Sequence, residues 1–536
     1  ENFDEIRLYE RYNTNYGYME QYWPYGDASL SLQNPYWIQN RINRTSNKKR
    51  YMMNASLKWQ AADWLNVVGR VNLDNSDYRN KNEKSASTLT TFCGVSGGFE
   101  DAMRQERSLY ADFLANIDKT FGDFHLTANV GASIYHTSMD QLYIAGDLVI
   151  PNFFQINNIN FSANYKPDPT GYEDEIQSIF ASAELSWKNQ LYLTVTGRND
   201  WDSKLAFSKQ KSFFYPSVGL SALLSEMVKL PEVISYAKIR GSYTVVASSF
   251  DRFLTNPGYE YNSQTHNWAN PTVYPMDNMK PEKTKSWEIG LNLKFWGNRF
   301  NLDATYYRSN TLNQTFKVDI PSSSGYKQAI VQAGNVQNQG LELALGFNDK
   351  WAGFGWSSNA TFTLNRNKVK RLASGSVNPV TGEAIQMDEM NVGWLGKENV
   401  APRVILTEGG SMTDIYVYNQ LTKDNNGNIK VDQNGNLGIT SSNTPVKVGN
   451  LDADFNLGWT NHFTYKGIDL GVVLSARVGG LAYSATQGIL DYYGVSETSA
   501  TARDNGGIPI NNGKVNAQKY YQTIGTGEGG YGRYYL

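Results

Sequence analysis

The densest group of side chains that could do chemistry is Gly197-Arg198-Asn199-Asp200-Trp201. Arg198 and Asp200 lie two residues apart in an alternating segment, so on a strand they share a face. A guanidinium and a carboxylate on one face can hold a polar ligand. They can equally pair with each other and line a wet wall. Trp201, together with Tyr36 and Trp37 of Asn34-Pro35-Tyr36-Trp37, offers flat rings. Such rings stack on the C–H faces of sugars, and they also form the aromatic belts of membrane proteins. The stretches Asp424-Asn425-Asn426-Gly427-Asn428 and Asp432-Gln433-Asn434-Gly435-Asn436 look superficially like calcium loops. They lack the D-x-[DN]-x-[DN]-G spacing and a Glu at the twelfth position. Two Asn-Gly turns flanking Ile429-Lys430-Val431 predict a small hairpin instead. His125, His136, His266 and His462 show no H-x-x-x-H pairing, so no metal site is expected. There is no G-x-S-x-G element, P-loop or H-E-x-x-H motif. The reading is of a non-enzyme with no catalytic residue and no cofactor.

These residues must be positioned by something, and the clearest element is Gly467–Val478. Ile468, Leu470, Val472, Leu474, Ala476 and Val478 occupy one parity; Asp469, Gly471, Ser475 and Arg477 fall on the other. A period of two means a strand with one apolar face. The same alternation recurs as hairpins: 51–61 with 65–78, 108–119 with 122–137, 177–187 with 190–201, about 212–224 with 235–248, 284–296 with 299–311, about 328–347 with 354–370, and 450–464 with 467–478. Short connections at 62–64, 121–123, 188–189, 297–298 and 465–466 alternate with long ones at 79–107, 138–176, 249–283 and 371–447. Residues 1–50 read as a strand end and an exposed loop, and 479–536 as a further loop region without alternation.

Composition agrees with a wall rather than a packed core. A mean hydropathy of -0.50 and the lack of any apolar run of about 18 residues exclude a helical membrane protein. Neither excludes a barrel, whose strands need only about 10 alternating residues. Thirty-five Tyr and 13 Trp are what two interfacial girdles require. The net charge of -2 gives no push toward nucleic acid. A lone cysteine, Cys93, permits no disulfide within the chain. Alternating short and long connections place the short turns at the periplasmic rim of an outer-membrane barrel and the long loops outside the cell. The fold class is therefore all-β: an outer-membrane transmembrane antiparallel β-barrel across 1–536, with about 14 to 16 strands present. The segment 371–447 is a long extracellular loop with a small hairpin. The first residues have no signal-peptide character, so the expectation is a chain whose N-terminus lies further upstream. An open sheet edge is costly in lipid, so further strands are expected to close the wall.

Six segments together resemble the SusC/RagA family of TonB-dependent outer-membrane transporters. They are Asn34–Trp37, Leu193–Trp201, Phe214–Gly219, Lys238–Tyr243, Lys280–Thr284 and Ala333–Glu342, in order from about residue 30 to 480. The resemblance implies a 22-stranded barrel filled by a plug, a SusD-like surface lipoprotein as lid, and energy from TonB through a plug region outside this chain. It implies a Gram-negative outer membrane, contact with its lipid, and uptake of oligosaccharides; peptides and a passive porin are the alternatives. Arg198 and Asp200 would then hold substrate or plug in the upper lumen. No plug, TonB box, N-terminal extension or terminal strands are found, so the chain reads as the middle and later barrel.

Overall fold

The computed structural model describes residues 3–23, 32–161, 167–255, 258–262, 267–275, 279–373, 377–385, 387–395, 401–525 and 532–536. Fourteen strands follow one another in one meander, each antiparallel to its neighbours. They are β1 (Ile42–Ala62), β2 (Leu65–Lys84), β3 (Gly98–Phe121), β4 (Phe124–Asp147), β5 (Asp168–Trp187), β6 (Leu191–Asp202) and β7 (Phe213–Leu223). The series continues with β8 (Ile234–Ser248), β9 (Glu282–Phe295), β10 (Phe300–Asp319), β11 (Gln328–Trp351), β12 (Phe354–Arg371), β13 (Phe455–Tyr465) and β14 (Ile468–Val478). Among the described residues β1 and β14 pair on one side only.

The register explains why the alternation is so regular. Ala55, Val71, Ala111, Ile134, Gln177 and Trp201 lie side by side across β1 to β6. One residue along, on the opposite face, lie Ser56, Arg70, Asp112, Ser133, Ser178 and Asp200. A one-residue slip would exchange these two rows everywhere, so the burial of one face in lipid pins the register.

The apolar face is a band, not the whole strand. On β2 its outward positions run Leu65, Val67, Gly69, Val71 and Leu73, then turn polar at Asn75, Asp77, Arg79 and Lys81. The apolar stretch is roughly 27 Å along the strand, or about 20 Å tall at a 45° tilt, close to the thickness of a barrel's lipid-facing belt. Aromatic rings border the band. At the short-turn rim Trp296 meets Phe300, Phe300 meets Phe347, Phe347 meets Trp356 and Trp356 meets Phe463, with centroids 5.3, 4.7, 4.8 and 6.2 Å apart. Toward the long-loop rim Trp287 packs on Tyr306 at 5.5 Å, beside Tyr243.

Two expectations are corrected. The connections drawn at 79–107 and 138–176 are about half strand: β2 and β3 reach Lys84 and Gly98, and β4 and β5 reach Asp147 and Asp168. Above the lipid both faces of a strand meet water, so no apolar alternation marks it. Residues 1–50 are not a simple loop. They hold a short hairpin (Glu10–Asn13 with Tyr18–Gln21), helix α1 (Pro35–Arg41) and the start of β1. Asn34 caps α1 through Tyr36 N, with Pro35 in the first turn, a favourable helix start. The region 479–536 forms helices α2 (Ala485–Tyr492), α3 (Glu497–Asp504) and α4 (Ala517–Ile524) and a hairpin at 508–515.

The loops interlock. Strands Glu389–Trp394, Arg403–Thr407, Asp414–Leu421 and Ile439–Asn450 make a four-stranded sheet. At one end of it, Leu421, with Leu437, shares one core with Ala502, Ile510, Val515, Tyr521 and Ile524 from the helical segment. Asn511 clamps the backbone of Ile429 with two bonds of 3.0 Å, and Tyr534 accepts from Leu421 N at 2.9 Å.

Candidate functional site

Cross-strand Arg–Asp pairs stud the polar face of the wall. Arg70 of β2 forks onto Asp112 of β3 at 2.9 and 2.6 Å, and Tyr110 donates to the same carboxylate at 2.8 Å. Arg50 holds Asp74 across β1 and β2 at 2.9 and 2.5 Å. Arg240 of β8 reaches over β9 to Asp303 of β10 at 3.2 and 2.9 Å, and Asn292 adds a bond of 3.0 Å. It passes above Gly290, where a Cβ would stand 2.6 Å from the guanidinium; the absence of a side chain there makes the crossing possible. Near the long-loop rim Arg252 binds Asp174 and lies 3.5 Å from the Tyr172 ring centroid.

Arg198 and Asp200 belong to this ladder. Arg198 Nε donates to Asp200 at 2.7 Å, Arg198 Nη2 to Ser178 Oγ at 2.7 Å, and Tyr215 donates to the other Asp200 oxygen at 2.5 Å. Asp200 is buried, and the guanidinium stands over Phe180. Each strand contributes through its inward parity: Ser178 pairs with Asp200, and Arg198 with Tyr215. The cluster is thus internally satisfied. Removing the arginine would leave the buried carboxylate without its counter-charge.

The other three candidates fall elsewhere. Trp201 is on the opposite face, 41% exposed, in line with Ile134 and Val71. Its exposure matches Tyr243, Trp287 and Tyr306 at 42%, 38% and 41%, the rings of the upper border of the apolar band. It does not join Arg198 and Asp200. The odd–even count alone separates them, a signal present in the sequence. Trp37 is fully buried and donates from Nε1 to Thr88 Oγ1 at 3.0 Å, so it has no face for a sugar. Its role is to pin α1 onto the 85–97 connection. Tyr36 is half-buried and stacks on Tyr9 at 6.4 Å. Tyr215, Ser178, Asp112 and Asp303 escaped sequence reading because their partners lie on other strands, 15 to 63 residues away.

The two Asp-x-Asn-Gly-Asn turns close on themselves. Asp424 Oδ1 accepts from Asn426 N and Asn428 N at 2.8 and 2.9 Å, and Asp432 repeats this with Asn434 and Asn436. These donors hold both carboxyls below the usual range, the Asn428 and Asn436 contacts foremost. No group of three metal-ligating side chains occurs among the described residues. His125, His136 and His462 each face a single carboxylate, Asp118, Glu175 and Asp469; His266 lies outside the described residues.

A two-faced antiparallel meander with an apolar outer band and an ion-paired inner wall is the expected form of a membrane barrel, and the family model for TonB dependent receptor-like β-barrels matches residues 2–396. The chain belongs to the TonB-dependent receptor β-barrel family. That family consists of outer-membrane receptors and transporters rather than enzymes. TonB-dependent receptor P3 of Formosa agariphila is 24% identical over 426 residues, covering 74% of this chain and 41% of the relative. TonB-dependent receptor SusC of Bacteroides thetaiotaomicron is 26% identical over 355 residues, covering 61% and 34%. The chain therefore spans about two fifths or less of the curated relatives it matches. The solved RagAB peptide transporter superposes with a TM-score of 0.71 at 15% identity, over 89% of this chain and 52% of that one, a likeness of fold.

Proposed function

We propose that this chain forms the transport wall of a SusC-type importer of oligosaccharides. The observation that carries the reading is the two-faced wall: an apolar band bordered by aromatic rings outside, and a polar face studded with Arg–Asp pairs inside. Beside these pairs the inner wall carries tyrosines, carboxamides and hydroxyls, a set suited to the hydroxyl groups of sugars. The short-turn rim faces the periplasm, and the interlocked loops of 371–447 and 479–536 lie outside the cell. A SusD-like lipoprotein covers that outer end, and TonB supplies energy through a plug. Relatives named SusC and TonB-dependent receptor support this assignment.

The test is uptake of labelled oligosaccharides by cells carrying the full-length protein, with and without TonB. Loss of uptake without TonB supports the proposal; unchanged uptake makes the barrel a passive porin. A second reading, peptide import, draws on the likeness to the RagAB peptide importer. Competition by mixed peptides, and none by glycans, would establish it instead.

A further inference from the structure

A pocket of about 510 Å³ opens between α2, α3 and α4, lined by Tyr493, Arg503, Gln518 and Gln522 among others. This is within the size range of small-molecule sites. Its base is rigid. Asp491 is 4% exposed and accepts from Gln487 Nε2 and Thr498 Oγ1 at 2.9 Å each, and from Ser496 Oγ. Tyr521 and Ala517 anchor α4 in the loop core.

The rim is different, because its groups have unused capacity. Arg503 Nη1 donates to Gly494 O at 2.8 Å and to Ser499 Oγ at 3.5 Å. Gly494 has φ +70°, and a Cβ there would lie 2.9 Å from Nη1, so a glycine is required for the backbone to hold the guanidinium this way. Nε and Nη2 make no hydrogen bond among the described residues. These two donors form the edge of the guanidinium that grips a carboxylate with two parallel bonds. Tyr493 is 54% exposed. Gln518 and Gln522 are exposed one turn apart on α4, with their amides free of bonds to the described residues.

We propose that this pocket is a subsite for an acidic saccharide: a uronate carboxylate on the Nε/Nη2 edge of Arg503, a sugar ring against Tyr493, and hydroxyls on Gln518 and Gln522. Asp491 also lines the pocket, but it is 4% exposed and three donors converge on its Oδ1, so little of that carboxylate is open to a peptide ammonium. Its walls are helical, so no open strand edge is present for a peptide to extend. The subsite rests on the reading that the loop end faces outward and captures saccharides.

Equilibrium binding to the purified full-length protein tests it without TonB or energy. An oligouronate, its carboxyl-reduced counterpart and an acidic peptide of similar length are each titrated by calorimetry. The oligouronate is expected to bind, and Arg503→Gln to weaken it roughly tenfold or more. Arg503→Lys, which keeps the charge and loses the fork, should weaken it less. Because Arg503 also holds Gly494, Tyr493→Ala and Gln522→Ala serve as variants that break no internal bond of that kind, and both should weaken binding. Equal affinity for the reduced sugar, indifference to Arg503→Gln, or peptide binding with the same Arg503 dependence overturns the proposal. If binding holds while TonB-dependent uptake fails, the importer reading falls and the subsite stands.

Discussion

Val473 and Leu474 are adjacent aliphatic residues on β14, 72% and 54% exposed, and by burial alone an arginine at either should cost little. The register assigns them to opposite faces: Leu474 pairs with Trp459, Val473 with Thr460. Leu474 lies six residues from Ile468 at the short-turn end. That is roughly 20 Å along the strand, or about 14 Å above the rim at a 45° tilt, near the middle of the lipid. Leu474→Arg should therefore cost about 2–4 kcal/mol of folding free energy in a bilayer, while Val473→Arg, facing the wet interior, should stay within about 1 kcal/mol. The assay is reversible urea unfolding of the full-length protein in lipid vesicles, followed by tryptophan fluorescence and by heat-modifiable gel mobility. Equal destabilisation by the two variants, or a larger loss for Val473→Arg, would refute the assignment of the faces.

Other outcomes follow from single contacts. Asp424 and Asp432 are held below their usual range by loop donors. A depressed folded pKa means the turns gain stability above the unfolded value of about 3.9 and lose it as pH falls through the folded one. Hydrogen-exchange protection across 424–437, taken relative to the intrinsic amide rate at each pH, should thus be higher at neutral pH than near pH 3; equal protection would refute it. Burial in the 85–97 connection pushes the Cys93 thiol up to about 11. It should resist alkylation at pH 8 in the folded protein and react once unfolded; rapid alkylation of the native protein would contradict this. Trp37→Ala empties a fully buried site and should destabilise the packing of α1 by about 3–5 kcal/mol, seen as faster exchange in 35–41 and 85–97. Trp37→Phe, which loses mainly the bond to Thr88, should cost about 1 kcal/mol.

Period-two alternation determined the hairpin series because lipid and water impose opposite demands on the two faces of one strand. The faces read from Gly467–Val478 are those the pairing of β13 and β14 gives. The same count held the key to Trp201, whose odd position sets it on the lipid side of a strand that shows Arg198 and Asp200 to the interior. Where both faces of a strand meet water the signal vanishes, so the tops of β2 to β5 passed as loop. Local chemistry also marked the Asn-Gly turns. What the linear chain could not reveal were contacts between segments distant along it. Trp37 became an anchor only because Thr88 waits 51 residues away. Arg240 and Asp303 met across an intervening strand, over a glycine. The helices after residue 484 found a core only against Leu421 and Leu437. Alternation is local and repeats with every second residue, so sequence alone fixes which face each strand shows. Ion pairs, buried rings and loop cores depend on which distant segments become neighbours, and only the tertiary structure decides that.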